Sequence, residues 1–391
     1  MSEIKMVFKI LKVKKSVLFL AAFFILGPLF SAGSEGTEAL GIRFAERFSI
    51  KYMENNVKLV TDSAGRDFLL VPEKQSIPDC YKTMKNTMLV RTPVKKTVLC
   101  SGAEVSFLKF LDRSKKLYSR ITAVTIKEKD WDDELIRSLM RKGKIVFLPS
   151  SMEQEPSAEK IIELKPDAVF PSGLNLGDTK MSILLRGAGI PAVSVGDYTE
   201  PSEEGYMEWI KFYGAFFNMD REAHEIFNEA LKEKNNFVKQ IEDEINRRKL
   251  RKPDVALGFL YYVNGLVYTQ SGFERYAKYI KDSGGSYVMA DGKVKGAVQI
   301  GMEEFFNRCK NADVLIYSSD RRYTPSKRAL AAQEPLFREF KAFKTDRIYL
   351  YDKSYYLNSA ELKGKIEDMV YILHPELMPG HSLRHYEKLP D

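Results

Sequence analysis

The sequence predicts an α/β protein of two lobes, each a mostly parallel sheet with helices on both faces, joined by one long helix. Three observations carry that prediction. Short apolar runs alternate with helix-patterned segments on both sides of residue 220, an alternation that builds parallel sheets covered by helices. Residues 220–249 place Ala223, Phe227, Ala230, Phe237, Ile241 and Ile245 at spacings of three and four or their close multiples, with Glu, Lys and Arg between them, as an amphipathic helix requires. At 391 residues the chain also exceeds what one hydrophobic core ordinarily holds.

The elements follow in order. Residues 1–33 read as a secretory signal peptide: Lys12, Lys14 and Lys15 precede the apolar run 17–30, and Ser31, Ala32, Gly33 and Ser34 follow it. Gly27 and Pro28 interrupt the run, which is shorter than the ~20 residues of a membrane span; an uncleaved anchor is the alternative. No cysteine follows it for lipid attachment, so the expected location is the periplasm, where an outer membrane retains an exported soluble chain. Residues 34–92 carry two β-patterned runs around Asp62, Ser63 and Gly65 and are expected to add a β-hairpin extension to the first lobe.

Residues 93–202 form the expected first lobe, with strands at 97–100, 121–125, 145–148, 168–171 and 192–195 and helices near 103 and at 132–140, 158–164 and 180–186. Residues 203–249 are the connecting helical segment, with Asp220 the expected N-cap and Arg247, Arg248 and Lys249 suiting the negative end of the dipole. At ~1.5 Å per residue its long helix reaches roughly 40 Å, enough to carry the chain between lobes. Residues 250–358 repeat the pattern: strands at 254–262 and 266–269 around an Asn264-Gly265 turn, helices at 273–281, 302–309 and 335–340, and strands at 314–317 and 347–351. Residues 359–391 hold a last helix and a tail.

Composition removes several function classes. Of the net charge of +8, five lysines against one acid in residues 1–33 supply half, and the remainder is scattered, so no nucleic-acid footprint is expected. Cys80, Cys100 and Cys309 have neither zinc-site spacing nor a disulfide framework, although Cys80 and Cys100 could pair. His224, His374, His381 and His385 fall off the strand-end loops, which argues against a bare transition-metal site. No Gly-rich phosphate loop follows a strand and no G-x-S-x-G occurs, so an enzyme is not expected, a chelate-processing enzyme on a related two-lobed fold being the alternative.

Several stretches, in this order around the long helix, resemble a known family: 97–111 (TVLCSGAEVSFLKFL), 156–170 (PSAEKIIELKPDAVF), 189–195 (GIPAVSV), 312–316 (ADVLI), 340–349 (FKAFKTDRIY) and 373–377 (LHPEL). They resemble the substrate-binding proteins of ABC importers for iron complexes and cobalamin, the class with a helical link between lobes. The resemblance implies capture without chemistry and no cofactor, with the ligand held between the lobes over the carboxyl ends of the strands. It implies delivery by a monomer to an inner-membrane ABC permease. Docking would use one acid on each lobe: Glu104 on the first, for which a helix N-terminal carboxylate meeting the dipole is the alternative, and Glu274 on the second, close to the position where Lys278 stands.

Loops after strand ends supply the expected ligand contacts: Ser101, Trp131, Tyr261, Tyr262, Arg321, Arg322, Tyr323, Tyr355 and Tyr356. Arginine offers planar charged donors, and tyrosine an apolar face with a polar tip. A ferric siderophore, anionic and partly aromatic, is the ligand best matched to that mixture, with haem or cobalamin as alternatives and no metal ligated by a dedicated protein site.

Overall fold

The computed structural model describes residues 40–151, 154–171, 177–261, 263–270, 275–290 and 297–391. The expected signal peptide lies outside them. Strands β1 (Ser49–Tyr52), β2 (Lys58–Thr61) and β3 (Asp67–Pro72) run antiparallel in succession, and β4 (Met88–Thr92) joins β3 in parallel. They make a four-stranded sheet of their own, so this region does not extend the first-lobe sheet as a hairpin. Successive side chains in a strand point to opposite faces, and both faces here are apolar. Val60, Phe68, Leu70 and Val90 join the main core, whereas Leu69 and Val71 pack with Val57 in a smaller one.

The first lobe contains β5 (Thr97–Leu99), α1 (Gly102–Leu111), β6 (Ile121–Val124), α2 (Glu134–Arg141), β7 (Val146–Phe147), α3 (Ala158–Leu164), β8 (Ala168–Phe170) and α4 (Lys180–Gly187). Its sheet is wholly parallel, in the order β7-β6-β5-β8. Val98, Ala123 and Val169 face a core completed by Ile161 of α3 and Leu185 of α4. Their neighbours Leu99, Val124 and Phe170 face the opposite core with Phe107 of α1, so helices cover both faces. The strand expected at 192–195 shrinks to one bridge between Val169 and Ala192. The Val193 amide still donates to the Val169 carbonyl at 2.8 Å, whereas the Ser194 amide is taken by the Asp62 carboxylate at 2.8 Å.

Helices α5 (Glu203–Phe217) and α6 (Asp220–Arg248) follow. The 29-residue α6 is the expected long helix, but its N-cap is Met219. Asp220 fails to cap because its carboxylate is taken by buried Lys58, whose Nζ lies 2.6 Å from Oδ2. The almost wholly buried α5 is the inner of the pair. Its Glu208 carboxylate accepts the amides of Arg43, Phe44 and Ala45 at 2.6–3.0 Å. Those bonds seat the start of the described chain on the helix.

The second lobe contains β9 (Asp254–Tyr261), β10 (Leu266–Gln270), α7 (Arg275–Asp282), β11 (Ser286–Tyr287), β12 (Ala297–Gly301), α8 (Met302–Cys309) and β13 (Val314–Tyr317). It continues through α9 (Lys327–Gln333), α10 (Lys341–Lys344), β14 (Ile348–Tyr351), α11 (Lys353–Leu357), α12 (Leu362–Leu373) and β15 (Tyr386–Lys388). Parallel β11, β9, β13 and β14 form its centre, with β10, β12 and β15 added antiparallel. The Asn264-Gly265 turn forms as expected, with Gly265 at φ +68°. The basic segment before residue 335 contains α9, capped by the Ser326 hydroxyl accepting the Ala329 amide at 3.1 Å.

Candidate functional site: the cleft between the lobes

A cavity of about 480 Å³ lies where the two lobes face each other. The first lobe contributes Ser101 and Gly102 after β5, Ser150 and Ser151 after β7, and Asp197 and Tyr198. Glu203 and Tyr206 come from α5; Arg275 and Tyr276 of α7, Tyr355 and Tyr356 of α11, and Lys365 of α12 close the other side. The carboxyl ends of parallel strands thus open onto the cavity, as open α/β sheets require.

Each wall has a local cause. Ser101 caps α1 in a reciprocal box: its hydroxyl accepts the Glu104 amide, and Glu104 Oε2 accepts the Ser101 amide at 3.1 Å. A Cβ on Gly102 would meet Leu357 Cδ2 at 2.8 Å, so glycine lets the lobes approach there. Tyr355 stacks on Tyr351 with ring centres 3.9 Å apart, and Tyr356 and Tyr386 meet it edge-on. These rings form a rigid aromatic wall.

Charged groups occupy the floor. Arg275 is 8% exposed, and its guanidinium carbon lies 4.4 Å from the Tyr206 ring centre. Its Nη2 donates to the Tyr276 hydroxyl at 3.2 Å, and Nε stands 3.9 Å from Glu203 Oε1. Among the described residues, Nε and Nη1 have no hydrogen-bond acceptor. Lys365 Nζ donates to the Ser359 carbonyl at 3.0 Å and lies 4.2 Å from the Tyr355 ring centre. Burial pulls its ammonium down to about 7, with Glu203 opposing and Arg275 assisting. Asp197 Oδ1 accepts the Tyr198 amide at 2.7 Å, whereas Oδ2 is buried with no donor among the described residues. Burial pushes this carboxyl up to about 6, with Arg275 opposing. The floor therefore presents two cationic and two carboxylate side chains to one cavity.

Ser101, Tyr355 and Tyr356 are the sequence-expected contacts that line this cavity. Trp131 does not: it is 2% exposed in the core, with its indole N–H on the Ile126 carbonyl at 3.2 Å. Tyr261 ends β9 edge-on to Tyr268 and away from the cavity. Arg321 pairs with Glu387 at 3.4 Å, and Arg322 makes a two-pronged bond to Asp320 at 2.9 and 2.7 Å, so neither is an uncommitted anion clamp. Tyr323 is 73% exposed beside Arg322 and outside the cavity. Glu104 cannot serve as a surface docking acid, because it is completely buried and burial pushes its carboxyl well above the usual range. Tyr262 and Glu274 lie outside the described residues. Cys80 and Cys100 are not joined in a disulfide.

Sequence reasoning missed Asp197, Glu203, Tyr206, Arg275, Tyr276 and Lys365. A signal existed for Lys365, which interrupts the apolar stripe of α12 three residues after Leu362 and four before Met369. None marked Arg275, whose value depends on the rings packed around it.

A family model described as periplasmic binding protein matches residues 107–355. An uncharacterized lipoprotein of Methanocaldococcus jannaschii is 27% identical over 363 residues, covering 89% of this chain and 86% of that protein. Among solved structures, the molybdate periplasmic binding protein MolA of a Haemophilus influenzae ABC transporter superposes with a TM-score of 0.56 at 16% identity, covering 83% of this chain and 94% of that one. The periplasmic heme binding protein HutB of Vibrio cholerae superposes with a TM-score of 0.53 at 13% identity, covering 71% and 99%. At such identities the structural likeness speaks for the fold.

Proposed function

This chain belongs to the periplasmic binding protein family, and we propose that it captures an iron complex between its lobes outside the cytoplasm and hands it to an ABC permease. The observation that carries the reading is the cavity itself: about 480 Å³, walled by tyrosines and floored by Arg275 and Lys365. That volume lies within the ~300–1,000 Å³ usual for small-molecule sites. Tyrosine faces suit the flat organic parts of a chelate, and the cations suit its anionic oxygens. A ferric siderophore is the ligand we favour. Haem is the second reading, supported by Tyr356, which is 43% exposed at the cavity and carries an oxygen able to ligate iron.

Export would rest on residues 1–33 acting as a signal peptide, with the mature protein periplasmic and monomeric. The M. jannaschii relative is called a lipoprotein, whereas the first cysteine here is Cys80, far beyond the apolar run. Mass measurement of the exported protein checks this: loss of residues 1–33 without added lipid mass is expected. Bound chelate should be recovered chemically unchanged, since the protein's role is transport.

Titration of tyrosine emission with ferric siderophores, haem and cobalamin tests the ligand class. Quenching with a dissociation constant below micromolar for a ferric complex is expected, because the chelate would lie against Tyr206, Tyr276, Tyr355 and Tyr356. Binding no tighter than micromolar to any of the three would reject the class.

A further inference from the structure

We propose that the floor of the cleft is built for a ligand group that carries an anionic oxygen and a protonated nitrogen together, as an amino-acid-like appendage on a chelate does. The proposal rests on the capture reading above and adds the chemistry of the captured molecule. Arg275 and Lys365 would take the anionic oxygens, and Asp197 and Glu203 the ammonium.

Asp197, Arg275 and Lys365 are each more than nine-tenths buried and line one cavity, with Glu203 at its side. Asp197 Oδ2 lacks a donor, and Arg275 Nε and Nη1 lack acceptors, among the described residues. Burying charged groups with unmade bonds is costly, and these two do not relieve each other by a direct hydrogen bond. Burial is the largest influence on both Asp197 and Lys365, raising the one and lowering the other, so each charged form lacks a partner that would offset its desolvation. Each vacant bond lacks a complementary partner among the described residues, and the side chains that carry them line the same cavity.

The sign of the charges selects the ligand. A simple oxyanion would satisfy Arg275 and Lys365 but meet the carboxylates of Asp197 and Glu203 as like charges. A purely cationic group would meet the converse problem. A group bearing both charges meets an opposite charge on each side. Because Asp197 comes from the first lobe and Arg275 and Lys365 from the second, such a group also ties the lobes together.

Isothermal titration at pH 7 with three ferric hydroxamates sharing one iron-binding core tests this. One carries a free α-amino-acid group, one a carboxylate alone and one an amine alone, and each is also used iron-free. The amino-acid probe is expected to bind at least tenfold tighter than either other. Asp197→Asn should weaken that probe at least tenfold yet tighten the carboxylate probe, an inversion that a merely structural defect would not produce. Arg275→Gln should weaken both carboxylate-bearing probes. If Asp197→Asn does not fold, Glu203→Gln is read in the same way.

Equal affinities for the three ferric probes, or an amino-acid probe indifferent to Asp197→Asn, would overturn the subsite while leaving iron-complex capture standing. Tight binding of the iron-free amino-acid probe alone, with the same Asp197 dependence, would support the subsite and remove iron from the reading. No binding of any probe at millimolar concentration would overturn the subsite as well.

Discussion

Lys365 sits on the apolar stripe of α12, and burial there brings its ammonium down to about 7 from an ordinary 10.5. Between those two values the unfolded chain holds a proton that the folded chain lacks, so stability should rise with pH across that window and level off below it. Lys365→Met should abolish that slope in urea melts at pH 7, 8 and 9, and raise stability at pH 7 by about 1–3 kcal/mol. The same substitution should weaken binding of any anionic chelate, so stability and function oppose each other at this position. Glu104 gives the contrasting case. Burial pushes its carboxyl well above the usual range, and Glu104→Gln removes that buried acid while keeping an oxygen to accept the Ser101 amide, so it should cost less than about 1 kcal/mol. Glu104→Ala removes the capping box and should cost about 1–3 kcal/mol. Cellular uptake unchanged by Glu104→Gln checks that this residue supports α1 rather than a permease contact. Charge, burial and reach differ at these two sites, and only the first can be read from residue type.

Among the elements, α5 does more to organise the molecule than α6, which the sequence displays so openly. Periodicity reveals α6 because one face is wet and the other dry, whereas α5 is buried nearly all round, its Glu204, Glu208 and Lys211 included, and offers no such contrast. Its close fit against α6 depends on Gly214, where a Cβ would come 2.6 Å from Ala223 Cβ and 3.0 Å from the Met219 carbonyl oxygen. Gly214→Ala should therefore push the helices apart and lower stability by about 1–3 kcal/mol, against the usual gain for alanine within a helix. A thermal melt compared with Gly187→Ala, which meets nothing within 4 Å, separates this packing effect from helix propensity. The pair is further pinned across the molecule by Glu204. Burial works against its carboxylate, yet hydrogen bonds from Lys234 of α6 and Lys278 of α7 carry it down to about 2. That stabilisation is full above the ordinary carboxylate range and is lost as pH falls toward 2.

Across the whole molecule, the lobes are already in contact beside the cavity. The Ala360 amide donates to Ser106 of α1 at 3.0 Å, and Asn358 accepts from Lys109 at 2.7 Å and donates to Asp132 at 2.8 Å. Asn358→Ala should speed ligand release a few-fold in stopped-flow dissociation while changing unfolding free energy by less than about 1 kcal/mol, because its two bonds, one part-buried and one exposed, bridge lobes rather than build either one. The sequence by itself determined the alternation of strands and helices, the long amphipathic α6 and the order of the two lobes, because each depends on spacing along the chain. It also located part of the cleft, through Ser101, Tyr355 and Tyr356 at strand ends. Tertiary structure alone decided which charges remain available there. Glu387 and Asp320 neutralise Arg321 and Arg322, whereas Arg275 and Lys365 reach the floor with Asp197 and Glu203. The reason is physical: a side chain's free bonding capacity is what its neighbours leave unused, and folding chooses those neighbours from remote parts of the chain.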